Sequence, residues 1–408
     1  MAKNTHLEHL EDSILLDGQQ GAKDAFTFLD LLARTFSGKG SSNFKITTKW
    51  DGAPAIFCGI HPDTGKFFVG TKSVFNKDSK VNYSNDDIVA NHGHAPGLVK
   101  KLKVALKYLP SLGIKGVAQG DILFTDDKSM RTIDGDRSLT FKPNTILYSI
   151  PRNSDEFDKA NRAKIGVVFH TQYKEGVGWP SLASMSATFG FDTSKLKANR
   201  DVWVISAEMD NLGADTMLTE QEKQALIRLK STSSTLMSGV GGVLNIIRDQ
   251  IESGDKLSLG TKLKQYFNTY VRAGKKVSHG FMGDFEKYFE TELRKEVSKV
   301  KTSKAKASKL TKLYQGQKIL EDNQSSFKKV VVLYKSIQDA KEIFIKKLQA
   351  GQKYGTYLVT DDGIEVTNPE GYVAISNGTK AFKLVDRLEF SQANFRKDTI
   401  AKKWVSGS

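Results

Sequence analysis

Apolar residues in the first forty positions recur at helical spacing: Ile14, Leu15, Ala25, Phe26, Leu29, Leu31 and Leu32 predict one or two short helices between Ser13 and Ser37. From Phe44 the pattern changes to short β-prone runs, Phe44–Trp50, Ala55–Ile60 and Lys66–Thr71. The turn sequence His61-Pro62-Asp63-Thr64-Gly65 makes a hairpin of the last two. Leu98, Leu102, Ala105, Leu106 and Leu109 return to helical spacing and should stop at Pro110. Strand signals resume at Gly116–Phe124, Thr145–Ile150, Ile165–His170 and Val202–Ala207. Residues 1–215 therefore read as a mostly antiparallel α+β domain.

Beyond Leu218 the texture is helical. Residues 219–252, 261–272, 281–300 and 304–350 carry helical periodicity, broken by a turn at Ser238-Gly239-Val240-Gly241-Gly242, and no proline occurs between Ser181 and Asn368. Tyr266, Phe267, Tyr270, Phe281, Phe285, Tyr288 and Phe289 fall at the spacing of a helical core. At Tyr354 β texture returns, with Gly355–Thr360, a turn at Asp361-Asp362-Gly363, Gly371–Ser376, a turn at Asn377-Gly378, and Ala381–Val385. The reading is thus an all-α segment, 216–353, set between two parts of one α+β domain, 1–215 and 354–408.

Charge sharpens this division. The 408 residues carry 61 Lys and Arg against 46 Asp and Glu, a formal +15, which favours a polyanionic partner. Residues 221–353 hold 27 Lys and Arg against 13 Asp and Glu, so +14 of the excess lies in the helical segment. One cysteine, Cys58, excludes an internal disulfide, and no apolar run of about 18 residues is present to cross a bilayer. Met1–Asp12 carries acids and histidines where a signal peptide needs a basic end and an apolar core, so a cytoplasmic location is expected.

Chemistry centres on Lys49-Trp50-Asp51-Gly52, between two β-prone runs. A lysine whose backbone is held in a core strand, beside other cations, can serve as a nucleophile where a solvated one stays protonated. Four further motifs follow in order: Gly70-Thr71-Lys72-Ser73 after the hairpin; Val117-Ala118-Gln119-Gly120-Asp121-Ile122-Leu123; Ile165-Gly166-Val167-Val168-Phe169-His170; and Pro369-Glu370-Gly371-Tyr372-Val373, followed 13 residues after Glu370 by Lys383 within Lys380-Ala381-Phe382-Lys383-Leu384. No phosphate-binding Gly-x-x-x-x-Gly-Lys-[Ser/Thr] loop and no His-Glu-x-x-His is present. Asn91-His92-Gly93-His94 reads as a solvated loop.

In this order and spacing the motifs resemble those of the covalent nucleotidyltransferases, the ATP-dependent RNA and DNA ligases and mRNA-capping enzymes. The resemblance covers roughly 44–210 and 354–390, and it implies an antiparallel-sheet, ATP-grasp-like ligase domain interrupted by the basic helical segment. It implies Lys49 as the nucleophile that takes AMP from ATP, with Lys383 beside the α-phosphate. Thr47, Asp51, Gly52, Lys72, Asp121 and Lys380 would contact the nucleotide, Phe169 would stack on the purine with Tyr148 in reserve, and Glu370 and Asp121 would hold Mg²⁺ or Mn²⁺. Three positions depart from the family pattern: Lys72 stands for the usual arginine, Asp121 for glutamate, and Val385 where a second lysine would follow Lys383. Only 25 residues follow Lys383, too few for the barrel domain of DNA ligases, so the closest likeness is to phage-type RNA ligases. The partner implied is nicked or broken RNA or DNA, held by a monomer through Lys295, Lys299, Lys301, Lys304 and Lys306; non-catalytic nucleic-acid binding is the alternative.

Overall fold

The computed structural model describes residues 7–387, except 41–42, 175–181, 183–184, 210–212, 214–215, 279, 352–353 and 361–362. The strands in chain order are β1 (Glu8–His9), β2 (Phe44–Lys49), β3 (Ala55–Ile60), β4 (Phe67–Gly70), β5 (Val117–Phe124), β6 (Lys128–Ile133), β7 (Asp136–Phe141), β8 (Leu147–Pro151), β9 (Ile165–Lys174), β10 (Ser186–Phe189), β11 (Val202–Ser206), β12 (Gly355–Thr360), β13 (Gly363–Val366), β14 (Gly371–Ser376) and β15 (Lys380–Leu384). The helices are α1 (Ser13–Leu16), α2 (Gly18–Thr35), α3 (Asn85–His92), α4 (Pro96–Tyr108), α5 (Phe157–Arg162), α6 (Glu220–Met237), α7 (Gly241–Glu252), α8 (Leu259–Arg272), α9 (Phe281–Ser298), α10 (Ser303–Asp322) and α11 (Gln324–Ala350). The fold is α+β with largely antiparallel sheets, in line with the sequence reading.

Three sheets form. A four-stranded sheet has the order β1-β15-β14-β2, a central sheet runs β10-β9-β5-β3-β4 with β11 also on β9, and a five-stranded sheet runs β13-β12-β8-β7-β6. Among the described residues only β1 on β15 and β11 on β9 pair in parallel. The strands before and after the helical segment are interleaved: β14 lies between β2 and β15, and β12 pairs with β8. The β6–β7 hairpin is an addition to the sequence reading; its Asp134-Gly135 turn holds positive φ at both residues, the geometry that two-residue hairpin loops favour. Of the turn sequence between β12 and β13, Asp361 and Asp362 lie outside the described residues.

Because side chains alternate along a strand, the four-stranded sheet has two different faces. Phe44, Ile46, Tyr372, Ala374, Phe382 and Leu384 point to one side, into a hydrophobic core shared with α2 and α7–α11. The basic helical segment therefore has no core of its own. It packs with the N-terminal helices as one layer behind this sheet, so the division 1–215, 216–353, 354–408 is one of sequence texture rather than of packing. The segment's aromatic residues Phe267, Phe281, Phe285 and Phe289 are fully buried in that core, as the spacing predicts.

A buried ionic cluster fastens the layer. Lys341 of α11 donates to both carboxylate oxygens of Glu11 at 2.8 Å, and Arg387 donates to Asp12 at 2.9 Å and to the Tyr334 hydroxyl at 2.6 Å. Tyr334 in turn donates to Asp12 at 2.7 Å. Chain leading from β1, helix α11 and chain leaving β15 are thereby tied at one point.

Candidate active site

The other face of the four-stranded sheet carries Lys49, Thr47, Lys383 and His9. Register places Lys49 opposite Gly371, Thr47 opposite Val373, Val373 opposite Lys383, and Lys383 opposite His9. Cross-strand partners share a face, so two lysines and a buried threonine stand in one row with His9, whose proton affinity is lowered by burial and by the cations Arg387 and Lys341. Glu370, immediately before β14, reaches back to form an ion pair with the Lys49 ammonium.

The central sheet supplies the opposing carboxylate. Gly52 passes so close to β5 that a Cβ on it would lie 2.4 Å from the Cβ of Asp121. Ala53 N–H donates to the Ile122 carbonyl at 3.0 Å, locking the chain after Lys49 to the strand of Asp121. This close approach is the physical reason that glycine stands at the end of the Lys49–Gly52 motif.

Electrostatics marks the site. Burial pushes the Asp121 carboxyl up to about 7; Lys49 opposes the rise, and Glu370 and Asp51 add to it. Glu370 is also raised by burial, against the pull of Lys49. Lys383 is lowered by burial and by Lys49, while His170, 3.7 Å from Asp121 Oδ2, is driven down to about 4 by burial and by Lys49. Two neighbouring carboxyls whose ionisation burial disfavours can be relieved by a proton or by a bound cation.

A family model, that of the family of unknown function DUF6267, matches residues 4–399. The chain belongs to that family. No curated protein and no solved structure matches it.

Several candidate residues of this DUF6267 chain have other places in the structure. Phe169 is 1% exposed, packed against Phe191 and the core beneath α4, so it offers no ring to a nucleotide. Its neighbour His170 faces the site instead. Register opposes Gln119 to Thr171 and Gly120 to Phe169, leaving His170 as the extra residue of a β-bulge, the device that re-aims side chains in strands. Tyr148 is likewise core: its ring packs on Trp50 and Phe141, and its hydroxyl accepts the Asp51 N–H at 2.7 Å. The Asp51 carboxylate is a structural pin, with Oδ1 accepting from Asn144 at 2.7 Å and Oδ2 from the N–H groups of Thr145 and Ile146 at 2.7 and 2.9 Å. It fastens the Lys49 motif to the loop between β7 and β8 and has little capacity left for a ligand.

Lys380 is on the wrong face, since it shares parity with Phe382 and is held by Asp24 of α2 at 2.6 Å. Lys383 is thus the β15 lysine on the side of Lys49. Thr47 is buried, its hydroxyl 3.4 Å from the Val373 carbonyl. Lys72 is exposed on the short turn Lys72–Phe75 after β4, which lies two strands from β5, about 10 Å across the sheet. His92 is a buried residue at the end of α3, not part of a solvated loop.

Of the DUF6267 chain's five lysines proposed for polynucleotide contact, Lys295 of α9 and Lys299 just beyond it pair with Glu292 and Glu296 of α9. Lys301, Lys304 and Lys306 are exposed at the α9–α10 junction. His9 and His170 were the site residues that sequence pattern did not single out: β1 is two residues long and His170 owes its direction to a bulge. Among the described residues no group of three or more His, Cys, Asp or Glu is arranged to hold a metal ion, and no helix is long and apolar enough to cross a membrane.

Proposed function

We propose that the chain is an ATP-dependent polynucleotide ligase, RNA-ligase-like, that charges Lys49 with AMP, passes the AMP to a 5′-phosphate end and joins that end to a 3′-hydroxyl. The observation that supports this reading is convergence: Lys49, Asp121, Glu370 and Lys383, taken from four separate stretches because of their motifs, gather around one ammonium group. Their mutual electrostatic influence, not their sequence spacing, is what makes them a site.

In the first step the Lys49 Nζ would form a bond to the α-phosphorus while the bond from that phosphorus to pyrophosphate breaks. Lys49 would react as the neutral amine, its proton leaving to solvent as the ion pair with Glu370 opens. Lys383, with its ammonium on the same face, would meet charge developing on the phosphate oxygens. The donor set suits a divalent cation of the magnesium kind, which is characteristically held by one or two carboxylates and completed by substrate phosphates. Glu370 and Asp121 would hold such an Mg²⁺ or Mn²⁺ ion, which would neutralise phosphate charge. Lys301, Lys304 and Lys306 would add sequence-independent affinity for the polynucleotide.

Incubation with α-labelled ATP and Mg²⁺ followed by denaturing electrophoresis tests the proposal. Label is expected on the wild-type chain and not on Lys49→Ala. Absence of label with ATP or GTP, in Mg²⁺ and in Mn²⁺, overturns it and leaves a nucleic-acid-binding role. Sealing assays on nicked RNA, DNA and hybrid duplexes then assign the substrate.

A further inference from the structure

Where His170 stands, two strands are cut to fit one another. His170 is the extra residue of the β9 bulge, and β5 passes that bulge with Gly120, where a Cβ would lie 2.1 Å from the Val168 carbonyl oxygen. A side chain at position 120 would force the strands apart, so the glycine and the bulge work as one device. Its effect is to set His170 Nε2 3.7 Å from Asp121 Oδ2, with Gly52 close against the Cβ of Asp121. The second ring nitrogen, Nδ1, lies 2.9 Å from the hydroxyl of the buried Thr171. An outer partner of this kind is what fixes the ring of a metal-ligating histidine.

No hydrogen bond closes the gap between Nε2 and Oδ2 in either tautomer. With the proton on Nδ1 and donated to Thr171, two lone pairs face each other; with the proton on Nε2, 3.7 Å is too long. The separation instead suits two donors on one ion, since ligands each about 2.1 Å from a divalent metal lie about 3–4 Å apart. An ion can reach the pair, because the two side chains keep 31% and 19% of their surface exposed.

We propose that His170 joins Asp121 as a ligand of the divalent ion at this site, and that its imidazole shifts the preference from Mg²⁺ toward a first-row transition ion such as Mn²⁺. Imidazole nitrogen is a ligand for transition metals, whereas Mg²⁺ takes oxygen. Two protein ligands leave positions for water and phosphate, and Glu370 is engaged by Lys49 until that pair opens. What the ion does there rests on the ligase reading; its binding does not.

The full chain at about pH 8, where a free imidazole is neutral, is to be titrated with MnCl₂ alone, without nucleotide. Electron paramagnetic resonance counts the bound Mn²⁺, and electron spin-echo modulation reads nitrogen coordinated to it. A bound ion with an imidazole nitrogen signal is expected. His170→Ala should remove that signal and weaken Mn²⁺ binding about tenfold, with Mg²⁺ binding nearly unchanged. No bound Mn²⁺, bound Mn²⁺ without the nitrogen signal, or undiminished Mn²⁺ affinity in His170→Ala overturns the proposal. Should His170→Ala fail to fold, His170→Gln takes its place, and absence of the signal from the wild-type chain is decisive without any variant. Labelling of Lys49 by ATP is a separate readout, so failure of the ligase reading leaves the metal result standing.

Discussion

Lys341–Glu11 and Lys49–Glu370 are both lysine–glutamate pairs beside the four-stranded sheet, one within the helical layer behind it and one on its open face. The first is sealed, with side-chain exposures of 2% and 0%, whereas the second keeps 28% and 12%. Burial would raise the proton affinity of both glutamates. At Glu11 the cations Lys341 and Arg387 overcome it and the group is lowered. At Glu370 burial, with a smaller contribution from Asp51, outweighs the pull of Lys49 and Lys383, and the group stays raised. A sealed pair whose charges are balanced by a second ion pair, Arg387 with Asp12, is a fastener; a pair with a partly open side is able to exchange partners.

Five experiments probe that contrast. Glu11→Gln leaves Lys341 buried without its counter-charge and should cost about 3–5 kcal/mol of stability, read by denaturant unfolding. The wild-type chain should show the same dependence on acid. Because Glu11 is depressed in the folded state, its contribution is complete above its unfolded value of 4.5 and is lost as pH falls toward the lower folded value. Glu370→Gln, by contrast, should leave the unfolding midpoint nearly unchanged while lowering Lys49 labelling about 100-fold or more. Equal destabilisation by the two variants would erase the distinction between fastener and site.

Asp121→Asn should stabilise the fold by on the order of 1–3 kcal/mol at pH 8. Its sign is opposite to that of Glu11: the folded-state value of about 7 lies above the unfolded 3.8, so the penalty of ionising Asp121 is full above pH 7 and vanishes below pH 3.8. Unfolding curves at pH 8 and pH 4 check this, and a gain that is the same at both would refute it. The smallest effect belongs to the helical segment's surface. Reversing Lys301, Lys304 and Lys306 to glutamate should weaken polynucleotide binding and flatten its salt dependence, each lost contact removing about 0.7–0.9 from the logarithmic slope. Labelling of Lys49 should stay at the wild-type level.

Much of the architecture was legible because period two and period 3.6 are local properties. The runs at 44–50, 55–60 and 116–124, and the helices between 219 and 350, follow from side chains that read their own neighbours. The β6–β7 hairpin could have been read from Asp134-Gly135 by the same logic. Phe169 shows where the logic stops. Counting along Ile165–His170 gives no sign of which face meets α4, and the bulge at His170 is set by the register against β5, a strand some fifty residues earlier. Lys380 and Lys383 pose the same problem on β15, where pairing with β14 and packing against α2 decide which lysine faces Lys49.

By itself the sequence determined most of the longer strands and helices, the concentration of positive charge in one helical segment, and the identity of a lysine at the junction of two strands. Those depend on composition and short-range spacing. Tertiary structure alone decided that the helical segment shares its core with the N-terminal helices, that Asp51 is a pin, and that Lys49, Glu370, Asp121 and Lys383 share one site. Each of these depends on contacts between residues distant in the chain, and on burial that strengthens charge interactions only once the sheets have closed around them.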